Sequence, residues 1–387
     1  MSYYDPDSDI RSIFGLLKLS EKLAITPPLD ETKNTKWFKY YAVGIMAFIV
    51  LGSSSSLYGI IVYFLPLFKA TNIVLRTISM IALTILNVIT ILVCLLNSKT
   101  WNTFVNLFKY VDEKLNRGNI PVQRKNFLRM EILLSHFIIF CIFGYDAYVL
   151  YSNYGWKYVR FCLFRYVNCY HGTITALILV HFASALRARF RKINNMLIKS
   201  NDLHNIINNF IPKYAPERIN NLKSIKEVTD YYLLLSELVD MFNKLFGWQI
   251  FLMTENIIIS LLEVLNSLML SIDYTQVTTD ARHDFRTIMF LASLSLVFIV
   301  FHSRIVLYCE DVNKESRNTL TISYNLQQTV DPCSEERNEL VILSDVVNLL
   351  NTKTSAAGFY YISRNLSSRV FGYLFSYSIV LIQFNKQ

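Results

Sequence analysis

Gly358-Phe359-Tyr360-Tyr361 opens, and Ser376-Tyr377-Ser378-Ile379-Val380-Leu381-Ile382-Gln383-Phe384 closes, the stretch whose reading decides the fold. It follows a segment of cytosolic character and runs roughly 20 largely apolar residues, about the length that crosses a bilayer as a helix. Within it Tyr373, Ser376, Val380 and Gln383 recur at steps of three, four and three residues, so they form one stripe down a single helix face. That stripe is the least apolar line on the helix, and an unpaired Gln in hydrocarbon is costly. It is therefore expected to face protein or water. Copies meeting around an axis would each offer an aliphatic ring at Val380 and an amide ring at Gln383, the parts of a hydrophobic gate and a weak polar filter.

The rest of the chain suits a membrane. Its 387 residues are 53% hydrophobic, 14% aromatic and 17% charged, with a mean hydropathy of +0.32. A soluble protein carries about 25% charged residues. The start, Met1-Ser2-Tyr3-Tyr4-Asp5-Pro6-Asp7, has no apolar core, so the first span is expected to act as the insertion signal. Six further spans are expected near Tyr40–Phe64, Ile73–Leu96, Ile132–Tyr151, Val159–Leu186, Trp248–Ile272 and Phe285–Cys309. Gly52, Ser53 to Ser56 and Gly59 in the first are small enough for close helix approach.

The net charge of +9 could suggest nucleic acid. Its distribution speaks instead for basic residues kept inside. With the N-terminus cytosolic, about 30 Lys and Arg fall on the inner side, against 8 outside (Lys69, Arg76, Lys157, Arg160, Arg165, Arg282, Arg286 and Lys386). The fold class is thus an all-α membrane protein of seven transmembrane helices, N-terminus cytosolic and C-terminus extracellular. Residues 1–38 are a cytosolic arm with a helix over Ile10–Leu23, and 39–330 hold spans one to six. Residues 331–352 are a cytosolic helix capped by Ser334, and 353–387 the seventh helix. The basic segment 97–129 is taken as an inner loop.

Below the membrane, 187–247 and 310–330 are expected to be helical extensions of the spans. Leu222, Ile225, Val228, Tyr232, Leu235, Val239, Phe242 and Leu245 recur at helical steps, as do Leu340, Leu343, Val347 and Leu350. Periodicity alone leaves open whether these faces stabilise one subunit or join several. No cysteine pair falls in the outer loops, and free thiols are expected. No zinc, dinucleotide or phosphate-binding pattern and no framed nucleophile appears, so neither an enzyme nor a cofactor nor a metal is expected.

Ionisable residues inside spans suggest function by default. Asp146, Arg165 and Glu263 lie at similar expected depth. They are read as converging in one outward-facing cavity with Tyr145, Tyr148, Tyr166, Tyr170, His171 and Asn266, where Tyr faces and hydroxyls hold an organic solute. Thr77, Ser79 and Thr84 on span two are further polar residues of the outer half. A buried ion pair that orients helices remains the other reading of Arg165 with an acid, and ordinary packing that of the tyrosines. Glu255 is expected to pair with a basic neighbour such as Arg304.

Ser376-Tyr377, five mostly apolar residues and Gln383-Phe384 resembles the C-terminal signature of insect gustatory receptors, which is Thr-Tyr, five apolar residues, Gln-Phe. Ser376 stands where the family usually has Thr; the hydroxyl is kept and a methyl lost. Ser355-Ala356-Ala357-Gly358-Phe359-Tyr360 is similar to the family's approach to its last helix. The resemblance implies a ligand-gated, non-selective cation channel, homo- or heterotetrameric, in the plasma membrane of a gustatory neuron, at its dendrite. Its partners would be a small-molecule tastant, monovalent and divalent permeant cations, membrane lipid and other receptor subunits, with no nucleic acid. It also implies a tastant pocket in the outer half of spans two to six and a cytosolic helical cluster that joins subunits. Tyr377 and Phe384 would then pack near the pore. A bitter plant compound is the expected tastant and a sugar the alternative, on family breadth alone. A G-protein-coupled receptor is the competitor with seven spans, but it needs its N-terminus outside, against the charge count. A secondary transporter would show internal repeats or broken helices.

Overall fold

The computed structural model describes residues 9–29, 36–64, 70–115, 124–210, 215–274 and 281–385, some of the side chains among them excepted. Ten α-helices and one small hairpin make up the described chain. They are α1 (Asp9–Lys22), α2 (Lys36–Gly59), α3 (Ala70–Leu96), α4 (Ser98–Leu115), α5 (Arg124–Tyr154), α6 (Trp156–Phe210), α7 (Ala215–Tyr274), α8 (Ala281–Thr329), α9 (Glu335–Leu350), β1 (Ser355–Ala356), β2 (Tyr360–Tyr361) and α10 (Asn365–Asn385). A π-helical turn over Ile60–Phe64 continues α2. Among the described residues, six helices (α2, α3 and α5 to α8) are long and apolar enough to cross a membrane. α10, 21 residues long, stands where the seventh span was expected.

Three helices far exceed what a bilayer needs. α6 has 55 residues, α7 has 60 and α8 has 49. At ~1.5 Å per residue α7 is about 90 Å long, against a hydrocarbon core of about 30 Å. The surplus forms the helical extensions foreseen for 187–247 and 310–330, joined to their spans without a break. α6 is the central post. Every residue from His171 to Leu186 is buried, because α2, α3, α5, α7 and α8 all pack on it. Gly52 and Gly59 are what let α2 approach: a Cβ there would lie 1.8 Å and 2.4 Å from the rings of Phe164 and Phe161 on α6.

In the extensions, the stripe Ile225, Val228, Tyr232, Leu235, Val239, Phe242 and Leu245 is 4% exposed or less. It is filled from within the chain by residues such as Phe190 and Ile193 of α6, Val312 of α8 and Leu340 and Leu343 of α9. This face therefore stabilises a single subunit. Ser334 caps α9 as its sequence foretold, accepting from the Arg337 N–H. Leu340, Leu343 and Val347 face in, but Leu350 is exposed, since Asn351 already leaves the helix in the left-handed region.

Two sequence expectations are corrected. The inner loop of 97–129 contains α4, whose Trp101, Phe104, Val105, Phe108, Val111 and Leu115 are buried against α6 and α7. Its Asp112 forms a buried ion pair with Arg189 of α6, whose guanidinium also lies 4.0 Å from the Phe108 ring centre. The stretch 353–387 is not helical throughout. Ser355 and Ala356 pair antiparallel with Tyr361 and Tyr360, turned by Ala357 and Gly358 at φ of 51° and 80°. The last helix starts only at Asn365.

Candidate functional site

Arg165 and Tyr166 are neighbours on α6 and point to different helices, so each finds its own acid. Arg165 Nη2 lies 3.5 Å from Glu263 Oε1 of α7, and Arg76 Nε of α3 lies 3.7 Å from the same oxygen. Glu263 is 1% exposed, a buried carboxylate between two guanidinium groups. Tyr166 donates to Asp146 Oδ2 of α5 at 2.5 Å, and its ring stacks on Phe143 at 5.0 Å. The structure thus brings Arg165 to Glu263 and Asp146 to Tyr166. Both arrangements are also what a helix-orienting ion pair would show.

The other residues named with them do not join. Tyr145 and Tyr148 are 43% and 65% exposed on the outer surface of α5. Tyr170, one turn from Tyr166, lies among the rings of His136 and Phe140. Asn266 is fully buried on α7. His171 departs most from expectation. Six residues from Arg165, it sits about 9 Å further along the axis and on another face. Its Nδ1 contacts Asn87 Oδ1 at 3.0 Å and its Nε2 the Leu23 carbonyl at 3.1 Å. It ties the N-terminal arm to α3. Arg304 pairs with Glu131 of α5, and Glu255 is exposed, so their expected pairing does not form.

A cavity of about 30 Å³ lies between α3, α6, α7 and α8. Ser79 and Leu83 of α3, Arg165 and Cys169 of α6, Met253, Asn256, Ile257 and Ser260 of α7, and Leu294, Phe298, Phe301 and His302 of α8 line it. The α7 residues step by three, one and three, one helix face. Of the expected set only Arg165 reaches this cavity, along with Ser79. The cavity extends away from the charged cluster toward the helical extensions, and Asp146 and Glu263, held by their own partners, do not line it. The polar wall is mostly engaged: Ser260 meets Ser295 at 2.6 Å and His302 Nε2 meets Thr254 Oγ1 at 2.8 Å. Asn256 Nδ2 is buried with no hydrogen-bond partner. Such a volume holds water rather than an organic solute, so occupancy requires the four helices to part.

Below the cavity, the hairpin docks on α7. Asn243 donates to the Lys353 carbonyl at 2.8 Å and accepts from the Ser355 N–H at 2.9 Å. Asn313 of α8 accepts from the Thr354 N–H at 2.8 Å and donates to the Ile362 carbonyl at 3.2 Å. Phe359 stacks on Phe251 at 4.8 Å. Tyr360 donates to Thr254 at 3.0 Å; burial pushes its hydroxyl above the usual tyrosine pKa, with that hydrogen bond acting the other way, so it stays a donor at neutral pH. Among the described side chains of α10, Leu366, Val370 and Leu374 face inward, and the helix packs against α7. Tyr373, Ser376, Tyr377, Val380 and Gln383 are all exposed. The Phe384 side chain lies outside the described residues.

These features define a multi-pass helical membrane protein with a cavity between its spans. The chain belongs to the 7tm chemosensory receptor family, whose model matches residues 12–387. Its fold is similar to that of the insect olfactory receptor OR5 from Machilis hrabei, at a TM-score of 0.55 and 10% identity, covering 97% of this chain and all of that one. The same receptor in complex with eugenol matches at a TM-score of 0.51, 10% identity, 98% of this chain and all of that one. At such identity the likeness is one of fold. No curated protein matches the chain.

Proposed function

We propose that the chain is a gustatory receptor, a ligand-gated, non-selective cation channel of four subunits in the plasma membrane of a gustatory neuron. The outer surface of α10 supports this most directly. Val380 is 44% exposed, and Ser376 and Gln383 are exposed with it, in a helix that packs on α7. A lone amide facing hydrocarbon is costly; the same amide facing a water-filled axis shared by four copies is not. Val380 closes that path by dewetting, and the neutral Gln383 ring gives little basis for choosing among small cations. In this reading the N-terminus is cytosolic and the C-terminus outside.

The cavity between α3, α6, α7 and α8 is the tastant site. Most of its wall is aliphatic or aromatic, with Met80, Leu83, Ile257, Phe298 and Phe301 among its residues. A sugar needs many paired hydroxyls, so this wall supports a bitter, largely apolar compound instead. The relative of the same fold whose structure holds eugenol is in keeping with a small aromatic ligand. Agonist opens the channel only by binding the open arrangement more tightly than the closed one.

Voltage-clamp recording from oocytes expressing this chain alone, with a panel of plant alkaloids, phenols and sugars, tests the proposal. An apolar plant compound is expected to evoke a current reversing near zero. Protein present at the surface but electrically silent, alone and with co-expressed receptor subunits, would overturn it.

A further inference from the structure

His302 lines the cavity, and Tyr360 lies in the hairpin five residues before α10 begins. Thr254 of α7 stands between them. A threonine hydroxyl has one proton to give and two lone pairs. Here all three are used: the proton goes to the Ile250 carbonyl at 2.9 Å, and the oxygen meets Tyr360 Oη at 3.0 Å and His302 Nε2 at 2.8 Å. Because the tyrosine donates, the arrangement closes only if His302 also donates, with a proton on Nε2. Thr254 and His302 are 3% and 7% exposed.

We infer that Tyr360, Thr254 and His302 form the link by which the cavity reports its occupancy to α10. This rests on the cavity being the tastant site and α10 the pore helix. A solute that fills the cavity must displace wall side chains, His302 among them. Moving that ring removes one of the three bonds at Thr254 Oγ1, which keeps only the Ile250 carbonyl and Tyr360. The Tyr360 bond then loses the support of the chain it belonged to, and the attachment of the hairpin to α7 is weakened there. The remaining attachments at Asn243 and Asn313 hold the strand that precedes the turn and the exit from β2. Release at Tyr360 therefore loosens β2 on its turn side, and the exit toward α10, still held at Ile362 by Asn313 and at the Arg364 N–H by Glu310, becomes the pivot. Groups within such a hydrogen-bonded chain act as a unit rather than as independent contacts.

A double-mutant cycle on resting current tests the link and needs no known agonist. Tyr360→Phe and Thr254→Val each remove one hydroxyl. Each is expected to change the ratio of closed to open channels by about threefold to tenfold, the worth of one hydrogen bond, and the double variant by no more than the larger single. Thr254→Ser keeps the hydroxyl and is expected to match wild type, which separates loss of the link from misfolding. With a compound that opens the wild type, Tyr360→Phe should change maximal current while the compound still raises the melting temperature of the purified protein. Multiplicative single effects, or mutants with wild-type currents, overturn the link alone. A surface-expressed wild type that never conducts overturns the channel reading and the link together. A wild type that conducts but whose agonist response and melting shift both ignore His302→Phe places the ligand elsewhere and removes the link with it.

Discussion

Gly247→Ala gives a sharp test of how the hairpin sits on α7. A Cβ at this position would lie 2.6 Å from the Ala357 nitrogen, 3.1 Å from its Cα and 3.4 Å from the Ser355 carbonyl oxygen. The obstacle is backbone, which cannot swing aside as a side chain does. Ordinary contact begins at 3.4 Å, so the hairpin must retreat by about 0.8 Å. The Asn243 bonds of 2.8 and 2.9 Å would then stretch to roughly 3.6 Å, beyond useful range. Overpacking costs about 1–3 kcal/mol, and alanine returns roughly 1 kcal/mol in helix propensity. The variant should therefore be less stable by up to about 2 kcal/mol, and its resting current should rise as the hairpin loosens. Gly144→Ala on α5 is the control, since its Cβ meets nothing within 4 Å; it should keep the propensity gain and melt slightly higher. Melting curves of both purified variants, with resting currents from oocytes, check this. If Gly247→Ala melts as high as Gly144→Ala and its current matches wild type, the hairpin does not rest on α7.

Glu263→Gln leaves Arg76 and Arg165 without their carboxylate in a buried site. It should cost about 3–5 kcal/mol in melting experiments, while changing Glu263 and Arg165 together to Met should recover much of the loss; equal damage from both would deny the pair. Gln383→Ala and Val380→Ala are expected to alter single-channel conductance and resting leak while agonist potency moves less, and unaltered single-channel records would refute the pore assignment. On α9, Ile342 and Leu349 are 47% and 83% exposed. Ile342→Glu with Leu349→Glu should reduce the assembled mass seen by light scattering if this face joins subunits, and an unchanged mass would show that it does not.

The spans were legible because burial in lipid makes their composition conspicuous, and the Ser334 cap because capping is local chemistry. α4 was missed although Trp101, Phe104, Phe108, Val111 and Leu115 hold helical spacing. Its Lys99, Lys109 and Lys114 give the segment the look of a basic inner loop and mask that aromatic face. The hairpin was illegible for a different reason. Ser355 to Tyr361 has no strand pattern of its own and is held by Asn243, Gly247 and Asn313, which lie 40 or more positions away in sequence. Arg165, Glu263 and Ser79 could be picked out as polar residues in apolar runs. Which of them line a cavity could not, since a span apolar on all sides has no face that declares itself. His302 broke the same rule as Arg165 and could have been found by it. For His171 no sequence signal names the Leu23 carbonyl as its partner.

α7 is the element that touches cavity, hairpin and last helix alike. Met253, Asn256, Ile257 and Ser260 form one wall of the cavity. At the lower end of that wall Thr254 and Phe251 hold Tyr360 and Phe359, and below them Gly247 and Asn243 seat the hairpin. All of these lie within 18 consecutive residues of an unbroken helix. An unbroken helix resists compression and bending over so short a length, so any tilt that widens the cavity must also move the hairpin's seat. α10 packs on the same helix. The lower ends of α7 and α8 are meanwhile held in the bundle, where Tyr232 bonds Ser316 at 2.7 Å and Thr352 at 3.2 Å. With one end fixed, displacement grows along α7 away from the bundle, so the hairpin's seat at Asn243 and Gly247 follows the cavity wall with a smaller movement. If the cavity is the ligand site and α10 the gate, as proposed, then filling the one and moving the other are coupled through this helix.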